Sequence, residues 1–164
     1  MTKVDTIRQL LQRMSAITDW KYALGLHIRF ANPTLLYQTY PQEWIDLYAS
    51  EGMFFSDPVV RWAIDHTGIC DWSDLAPQDA NNVLGQAADY GLKFGKVVSI
   101  GQQTKSFGFF AHGERPITTD EIAAAEAVFV ELHDATQGTD QMSETELLDL
   151  RDLNLTLGAH RSDH

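Results

Sequence analysis

The chain has 164 residues, 44% of them hydrophobic and 21% charged, with 12 lysines and arginines against 23 aspartates and glutamates. This length and this apolar fraction suit one folded domain with a substantial core, and they argue against a disordered chain. The formal charge of −11 and the absence of any basic run argue against autonomous binding to DNA or RNA, whose phosphates would repel such a chain.

Cysteine content and the N-terminal pattern indicate the compartment. The single cysteine, Cys70, excludes an internal disulfide and a cysteine-based zinc site, and a lone thiol fits a reducing environment. Residues 2–13 are polar and mixed in charge, unlike a signal peptide. No apolar run approaches the roughly 20 residues of a membrane helix. We therefore expect a soluble cytoplasmic protein that does not associate with membranes.

The first third of the chain predicts a helix, two strands and a second helix. The apolar residues of the first helix have helical spacing: Ile7, Leu10, Leu11 and Met14. A strand with one buried face is predicted by alternating apolar residues: Tyr22, Leu24, Leu26, Ile28 and Phe30. Asn32 and Pro33 are typical of a turn, and residues 35–39 predict the returning strand. Pro41 suits the first turn of the next helix.

The remaining elements complete an α+β pattern. Asp57 and Pro58 are typical of a helix start, residues 71–77 predict a loop, and residues 78–90 predict a further helix. Strands are predicted at 96–100 and 106–112, followed by a long helix that opens with a capping box of Thr118 and Glu121. In the second strand Phe107 and Phe109 share one face, and Phe110 lies on the other. The predicted fold is an α/β/α sandwich with a central antiparallel sheet flanked by helices.

The C-terminal residues predict a second, unfinished region. Residues 138–140 read Gly-Thr-Asp, which suits a linker, and a new helical pattern over 142–157 stops within a few residues. We therefore predict a folded domain over residues 1–137, followed over residues 138–164 by a linker and the start of another unit.

No pattern for catalysis or metal binding is found. A Gly-x-Ser-x-Gly elbow, a Walker-type loop and a His-Glu-x-x-His helix are all missing from the sequence. His66 and Cys70 have helical spacing, but Gly68 between them predicts a helix end, so a small buried cysteine is favoured over a nucleophile. The best candidate for a metal site pairs the adjacent Asp65 and His66 with Asp71, and the sequence does not support a complete set of three ligands there. We expect neither an enzyme nor a bound metal or cofactor.

Eight aromatic residues fall between positions 37 and 72, close to Asp57. They are Tyr37, Tyr40, Trp44, Tyr48, Phe54, Phe55, Trp62 and Trp72. The wall of a hydrophobic core is the commoner reason for such a cluster, but the cluster also suits a pocket for a small amphipathic molecule, since tyrosine and tryptophan carry polar atoms that need partners when buried. Indole N–H groups donate, tyrosine hydroxyls can donate, and an ionised Asp57 accepts. Such a set fits a ligand that has carbonyl oxygens and an amide N–H.

The spacing Tyr40-x3-Trp44-x3-Tyr48-x8-Asp57-Pro-x13-Trp72 resembles the signature of the autoinducer-binding domain of LuxR-type quorum-sensing transcriptional regulators. Residues 88–95, and the hairpin that ends with residues 106–111, are also similar to segments of that family. The resemblance covers about residues 5–137 and is much more specific than a single short motif.

The resemblance implies a cavity that binds an N-acyl-homoserine lactone. Trp44 would donate to the lactone carbonyl, Asp57 would accept from the ligand amide, and Tyr40 would donate to the acyl amide oxygen. Trp72 would pack against the lactone ring, and Tyr48 would form the wall where the acyl chain begins. Homodimers, or heterodimers with related regulators, are the partners that the family implies.

Two departures from the family pattern stand out. Where the family commonly has Ser or Thr on the late strand, this chain has Ala111, which removes a hydroxyl near the acyl amide oxygen. The DNA-binding domain that usually follows is represented only by its first residues, so we expect no direct nucleic-acid binding by this chain. Two alternatives remain open: a small-molecule sensor of the PAS or GAF kind, and a decoy that pairs with full-length regulators and inhibits them.

Overall fold

A five-stranded antiparallel sheet forms the middle layer of the computed structural model, which describes residues 2–29 and 32–162. The strands are β1 (Lys21–Arg29), β2 (Asn32–Gln38), β3 (Gly68–Asp71), β4 (Phe94–Ile100) and β5 (Lys105–His112). Their order across the sheet is β2-β1-β5-β4-β3, and every neighbouring pair is antiparallel.

Helices cover both faces of this sheet. They are α1 (Lys3–Ala16), α2 (Gln42–Ser50), α3 (Pro58–Asp65), α4 (Val83–Ala88), α5 (Thr119–Ala135) and α6 (Glu144–Ser162), with 3-10 helices at Met53–Phe55, Trp72–Gln78 and Thr139–Gln141. The predicted α+β sandwich is therefore confirmed. Within the described residues, no helix combines the length and the apolar character needed to cross a bilayer.

We call the first face, with α1, α5 and α6, the core layer. Two of its helices begin with capping boxes: Thr118 with Glu121 forms the predicted one at α5, and Thr2 with Asp5 forms another at α1. The apolar residues of α5 are buried against the sheet, where Phe110 and Phe129 are fully enclosed. This layer is a conventional packed core.

We call the second face, with α2, α3, α4 and the 3-10 helices at Met53–Phe55 and Trp72–Gln78, the cavity layer. Phe107 and Phe109 of β5 point into it while Phe110 points into the core layer, as their alternation predicts. Because β1 and β5 lie in the middle of the sheet, both of their faces are covered. The prediction of a first strand with only one buried face was therefore wrong.

The alternation of β1 also breaks at His27. Gly25 pairs with Phe107 and Ile28 with Lys105, so three steps on β1 match two on β5, which defines a β-bulge. His27 takes a positive φ of 51° and turns into the core layer, whereas Ile28 borders the cavity layer. The sequence alternation placed Ile28 with Leu26, and the extra residue reverses that assignment. The predicted strand residue Phe30 lies outside the described residues.

Three further predictions differ from the structure. Asn32 and Pro33 pair with Arg29 and Ile28 instead of forming the turn, which Pro33 tolerates because β2 is an edge strand. The predicted loop at 71–77 is mostly the 3-10 helix Trp72–Gln78, and the helix predicted over 78–90 is confined to Val83–Ala88. Strand β3 was not predicted, because four residues give too short an alternation.

Helix α6 packs back onto the folded unit. Leucines from this helix are buried in the core layer: Leu147, Leu150, Leu153 and Leu157. The Tyr37 hydroxyl donates to the Leu150 carbonyl at 2.7 Å, and the Gln38 amide donates to Asn154 Oδ1 at 2.9 Å. The stretch predicted as a linker holds the 3-10 helix Thr139–Gln141, in which Thr139 is fully buried. The assignment of residues 138–164 to a separate region remains a prediction.

Candidate ligand-binding site

A cavity of about 300 Å³ lies in the cavity layer, between the sheet and helices α2 to α4. All five predicted site residues border it, although the chain spreads them over two elements and two loops: Tyr40, Trp44, Tyr48, Asp57 and Trp72. The volume falls at the lower end of the range that small-molecule sites occupy, about 300–1,000 Å³. The structure thus brings the predicted residues to one place, while their individual roles toward a ligand remain predictions.

Local structure explains how these side chains converge. Trp44 and Tyr48 are four residues apart on α2 and so share a face, with ring centroids 5.7 Å apart. Tyr90, which the sequence analysis did not select, packs on the other side of Trp44 at 5.6 Å. Asp57 is the N-cap of α3, where its Oδ1 accepts from the Val59 amide at 2.8 Å.

Asp57 is a buried carboxyl with two different duties. While Oδ1 caps α3, Oδ2 accepts from the Tyr48 hydroxyl at 2.8 Å. Burial raises the pKa of Asp57 above its ordinary value of 3.8, although the bonds from Tyr48 and Val59 oppose that rise. Asp57 in turn adds to burial in raising the pKa values of Tyr40 and Tyr48, so both hydroxyls stay protonated and able to donate.

Two buried donors at the site have no partner within the described part of the chain. They are the hydroxyl of Tyr40 and the indole Nε1 of Trp72. Burying such a group without a hydrogen bond costs on the order of 1–3 kcal/mol, and native structures keep few of them. Both donors belong to residues that border the cavity, so a ligand with two acceptor atoms would suit the part of the cavity near Tyr40 and Trp72.

Gly95 of β4 makes room for Trp72. A Cβ atom at position 95 would overlap Cδ2 of the Trp72 indole, so the ring lies directly against the glycine backbone. This close approach explains one glycine of the segment at 88–95, which the sequence analysis connected with the family only by resemblance.

Helix α3 is anchored to the sheet at its C-terminal end. The Ala63 carbonyl accepts from the Ser99 hydroxyl at 2.8 Å and from Lys105 Nζ at 2.8 Å. Lys105 also donates to the carbonyls of Ile64 and His66. Because Asp57 caps the N-terminus of α3, these hydrogen bonds at the other end of the helix fix the side of the cavity that α3 forms.

The end of the cavity away from Tyr40 is apolar. On β1, Ala23 pairs with Gln38 near Tyr40, whereas Ile28 lies five positions further on, roughly 15 Å along a strand. We call the residues at this second end the apolar end: Ile28, Pro33, Leu36, Ile64 and Phe107. The β1 and β2 residues of this end could not be predicted from the sequence, because the strand face that borders a cavity is decided by which helices cover the sheet.

The chemistry of the lining favours a neutral amphipathic ligand. No lysine, arginine or histidine among the described residues lines the cavity, and its only ionisable acid is the buried Asp57. A ligand carboxylate would find no cation here and would face a like charge. Ala111 is buried in the cavity layer, but it is not a lining residue, and its methyl group offers no hydrogen bond.

Comparisons with known proteins agree with the fold. A family model described as "Autoinducer binding domain" matches residues 3–135. The transcriptional activator protein SolR from Ralstonia nicotianae is 25% identical over 104 residues, which cover 62% of this chain and 44% of SolR. The chain thus spans less than half the length of that relative.

Solved structures share the fold at low identity. SdiA, an Escherichia coli protein, in complex with octanoyl-rac-glycerol has a TM-score of 0.61 at 21% identity, covering 85% of this chain and 61% of that chain. CepR2 from Burkholderia cenocepacia, described as an N-acylhomoserine lactone dependent LuxR family factor, has a TM-score of 0.53 at 14% identity, covering 84% and 94%. Since the family model covers most of the sequence, the chain belongs to the autoinducer-binding domain family of LuxR-type quorum-sensing regulators.

Proposed function

We propose that this domain binds an N-acyl-homoserine lactone in the cavity, with its polar head at Asp57 and its acyl chain toward the apolar end. The observation that carries this proposal is the pair of buried donors without partners, on Tyr40 and Trp72, beside a buried carboxyl. An acyl lactone offers carbonyl oxygens to donors, an amide N–H to an acceptor, and no charge. The cavity has a place for each of these features.

The proposed roles follow the donor and acceptor inventory. Trp44 donates to the lactone carbonyl, Tyr40 donates to the acyl amide oxygen, and Asp57 accepts from the amide N–H. Tyr48 is already bonded to Asp57, so it fixes the orientation of that carboxylate and forms the wall beside it. Trp72 packs against the lactone ring, and its free N–H adds one donor that the family resemblance did not assign.

Calorimetric titration with N-octanoyl-homoserine lactone tests the proposal. We expect Trp44→Phe and Asp57→Asn each to weaken binding by up to about tenfold, since each removes one hydrogen bond or charge-assisted bond. Trp62→Phe is the matched control, because Trp62 packs in the same layer without bordering the cavity. Equal affinities in all of these proteins would contradict the assignment of the site.

We also propose that the domain acts as the sensor part of a transcription regulator and pairs with a second copy or with a related regulator. The family membership supports this role, and the charge of −11 suits a segment that leaves DNA contact to other residues. Sedimentation of the chain alone, with lactone, and with a full-length LuxR-type regulator measures the pairing. A monomer in all three samples would contradict it.

A further inference from the structure

The β-bulge at His27 links the core layer to the apolar end of the cavity. His27 is almost completely buried, and its positive φ is uncommon for a residue other than glycine. Such a conformation persists when the surroundings over-determine it. We therefore expect the contacts of His27 to stabilise the bulge.

Each polar group of His27 has a partner. The backbone N–H donates to Ser106 Oγ at 3.0 Å, and the backbone carbonyl accepts from the Thr34 hydroxyl at 2.8 Å. Nε2 lies 2.9 Å from the carbonyl of His133, which only accepts, so Nε2 carries the proton. Nδ1 is then the acceptor for the Thr104 hydroxyl at 2.6 Å.

The last turn of α5 completes this setting. The rings of His27 and His133 are stacked, with centroids 4.4 Å apart and planes inclined by 21°. Ser106 Oγ, which accepts from the His27 backbone N–H, also lies within hydrogen-bonding distance of His133 Nδ1, at 2.6 Å. His27 is thereby tied to both β5 and α5 through its ring and its backbone.

The bulge determines where the next residue points. In a regular strand His27 would face the cavity and Ile28 the core layer. With the extra residue, Ile28 borders the cavity, and a Cβ placed on Gly25 would lie 3.2 Å from Ile28 Cδ1 and 3.4 Å from Pro33 Cβ. Ile28 and Pro33 therefore cover the bare backbone of Gly25 at the apolar end.

We propose that His27 is a positioning residue that sets which acyl-chain length the cavity accepts, by holding Ile28 in the apolar end through the bulge. This inference rests on the proposed function only in that the ligand carries an acyl chain. His27 does not border the cavity, so its effect on specificity passes through Ile28.

Methyl NMR of the ligand-free protein tests the structural half of the proposal. With Ile δ1 methyl labels, wild type should show a nuclear Overhauser effect between the Ile28 methyl group and the Gly25 α protons. His27→Val disfavours positive φ and should remove that signal, as Ile28 turns toward α5. His27→Asn tolerates positive φ but lacks the ring contacts, so it should weaken the signal while remaining folded.

Binding of two ligand series tests the functional half. Dissociation constants are measured for homoserine lactones and for 1-acylglycerols, each carrying hexanoyl, octanoyl, decanoyl or dodecanoyl chains. We expect His27→Val to change the octanoyl-to-dodecanoyl ratio by about tenfold in whichever series binds, since one methylene misfit in an apolar pocket has effects of that size. His112→Asn is the control, because His112 is equally buried and bonded to Asp19 in the core layer. It should lower stability without changing the ratio.

The outcomes separate the two proposals. An unchanged length ratio in His27→Val and His27→Asn, or a persistent signal between Ile28 and Gly25 in both variants, overturns the role of His27. If neither ligand series binds to wild type, the proposed function fails. The methyl spectra then decide the role of His27 alone, because they need no ligand.

Discussion

The core layer and the cavity layer share one sheet, and they differ in how their aromatic polar groups are satisfied. In the core layer the indole of Trp20 donates to the Met14 carbonyl at 3.2 Å, and Tyr37 donates to Leu150. In the cavity layer the corresponding atoms of Trp72 and Tyr40 have no partner among the described residues. All four side chains are buried, so exposure to water does not explain the contrast.

The difference indicates a division of labour between the two faces. Among the described residues, the buried side-chain polar groups of the core layer all have partners within the chain, and these interactions stabilise the fold. The cavity layer keeps unmet hydrogen-bonding capacity and a costly buried carboxyl, so part of its stability is available only when a ligand supplies partners. Substitutions of the same type on the two faces should therefore separate stability from binding.

The largest contrast is expected from glycine to alanine changes under aromatic rings. A Cβ at Gly108 would lie 2.9 Å from Phe110 in the packed core layer, so Gly108→Ala should cost about 1–3 kcal/mol of unfolding free energy and leave lactone affinity unchanged. A Cβ at Gly95 would overlap the Trp72 indole itself, so Gly95→Ala should displace that ring and abolish lactone binding in addition to lowering stability. Urea denaturation and calorimetry measure both, and similar losses of binding in the two variants would contradict the contrast.

A pair of tyrosine to phenylalanine changes tests the same contrast between the core layer and the cavity layer. Tyr37→Phe leaves the Leu150 carbonyl without its partner and should destabilise the protein by about 1 kcal/mol. Tyr40→Phe removes a hydroxyl that has no partner in the ligand-free protein, so it should be neutral or slightly stabilising. The same Tyr40→Phe change should weaken lactone binding several-fold. Thermal melts with and without lactone give both effects, and a large destabilisation of ligand-free Tyr40→Phe would count against the division.

The smallest effects concern pH, and they have opposite signs on the two faces. Burial raises the pKa of Asp57 above 3.8, so the folded state holds this proton more tightly than the unfolded state. The stability that this proton contributes is fully present below about pH 3.8 and is lost as pH rises through the folded pKa. Relative to Asp57→Asn, wild type should lose stability as pH rises through that window.

His133 behaves in the opposite sense. Its burial, with His27 stacked beside it, lowers its pKa below 6.5, so the unfolded state takes up this proton first. Its contribution is present above about pH 6.5 and is lost as pH falls toward the folded pKa. Denaturation of wild type and His133→Asn between pH 4 and 8 measures this contribution of His133 to the free energy of unfolding. A difference that does not change with pH would contradict it.

Sequence patterns predict most of the fold because helix spacing and capping are local. Thr118 with Glu121 locates the start of α5, and Phe107 with Phe109 identifies one face of β5. The phase of β1 beyond Leu26 could not be predicted, because the bulge depends on contacts between His27 and residues more than 70 positions away. Strand β3 was missed for a similar reason, since its four residues are defined by pairing with β4.

The candidate site divides in the same way. The end of the cavity near Asp57 could be located from the spacing of Tyr40, Trp44 and Asp57, since these fixed intervals along the chain were enough for the resemblance. Its apolar end could not, because Ile28 and Pro33 reach the cavity only through strand pairing and the bulge. Local intervals thus predict the end of the cavity near Asp57, whereas strand pairing determines which residues line the apolar end.

Strand β2 has a practical consequence for engineering. Leu36 borders the cavity, while its neighbours Leu35 and Tyr37 face the helix that crosses the other side. A mutagenesis library aimed at new ligands can therefore vary position 36 freely and should leave 35 and 37 fixed. Because Asn154 Oδ1 accepts from the backbone N–H of Gln38, β2 stays anchored when the side chain at position 36, two residues away, is changed.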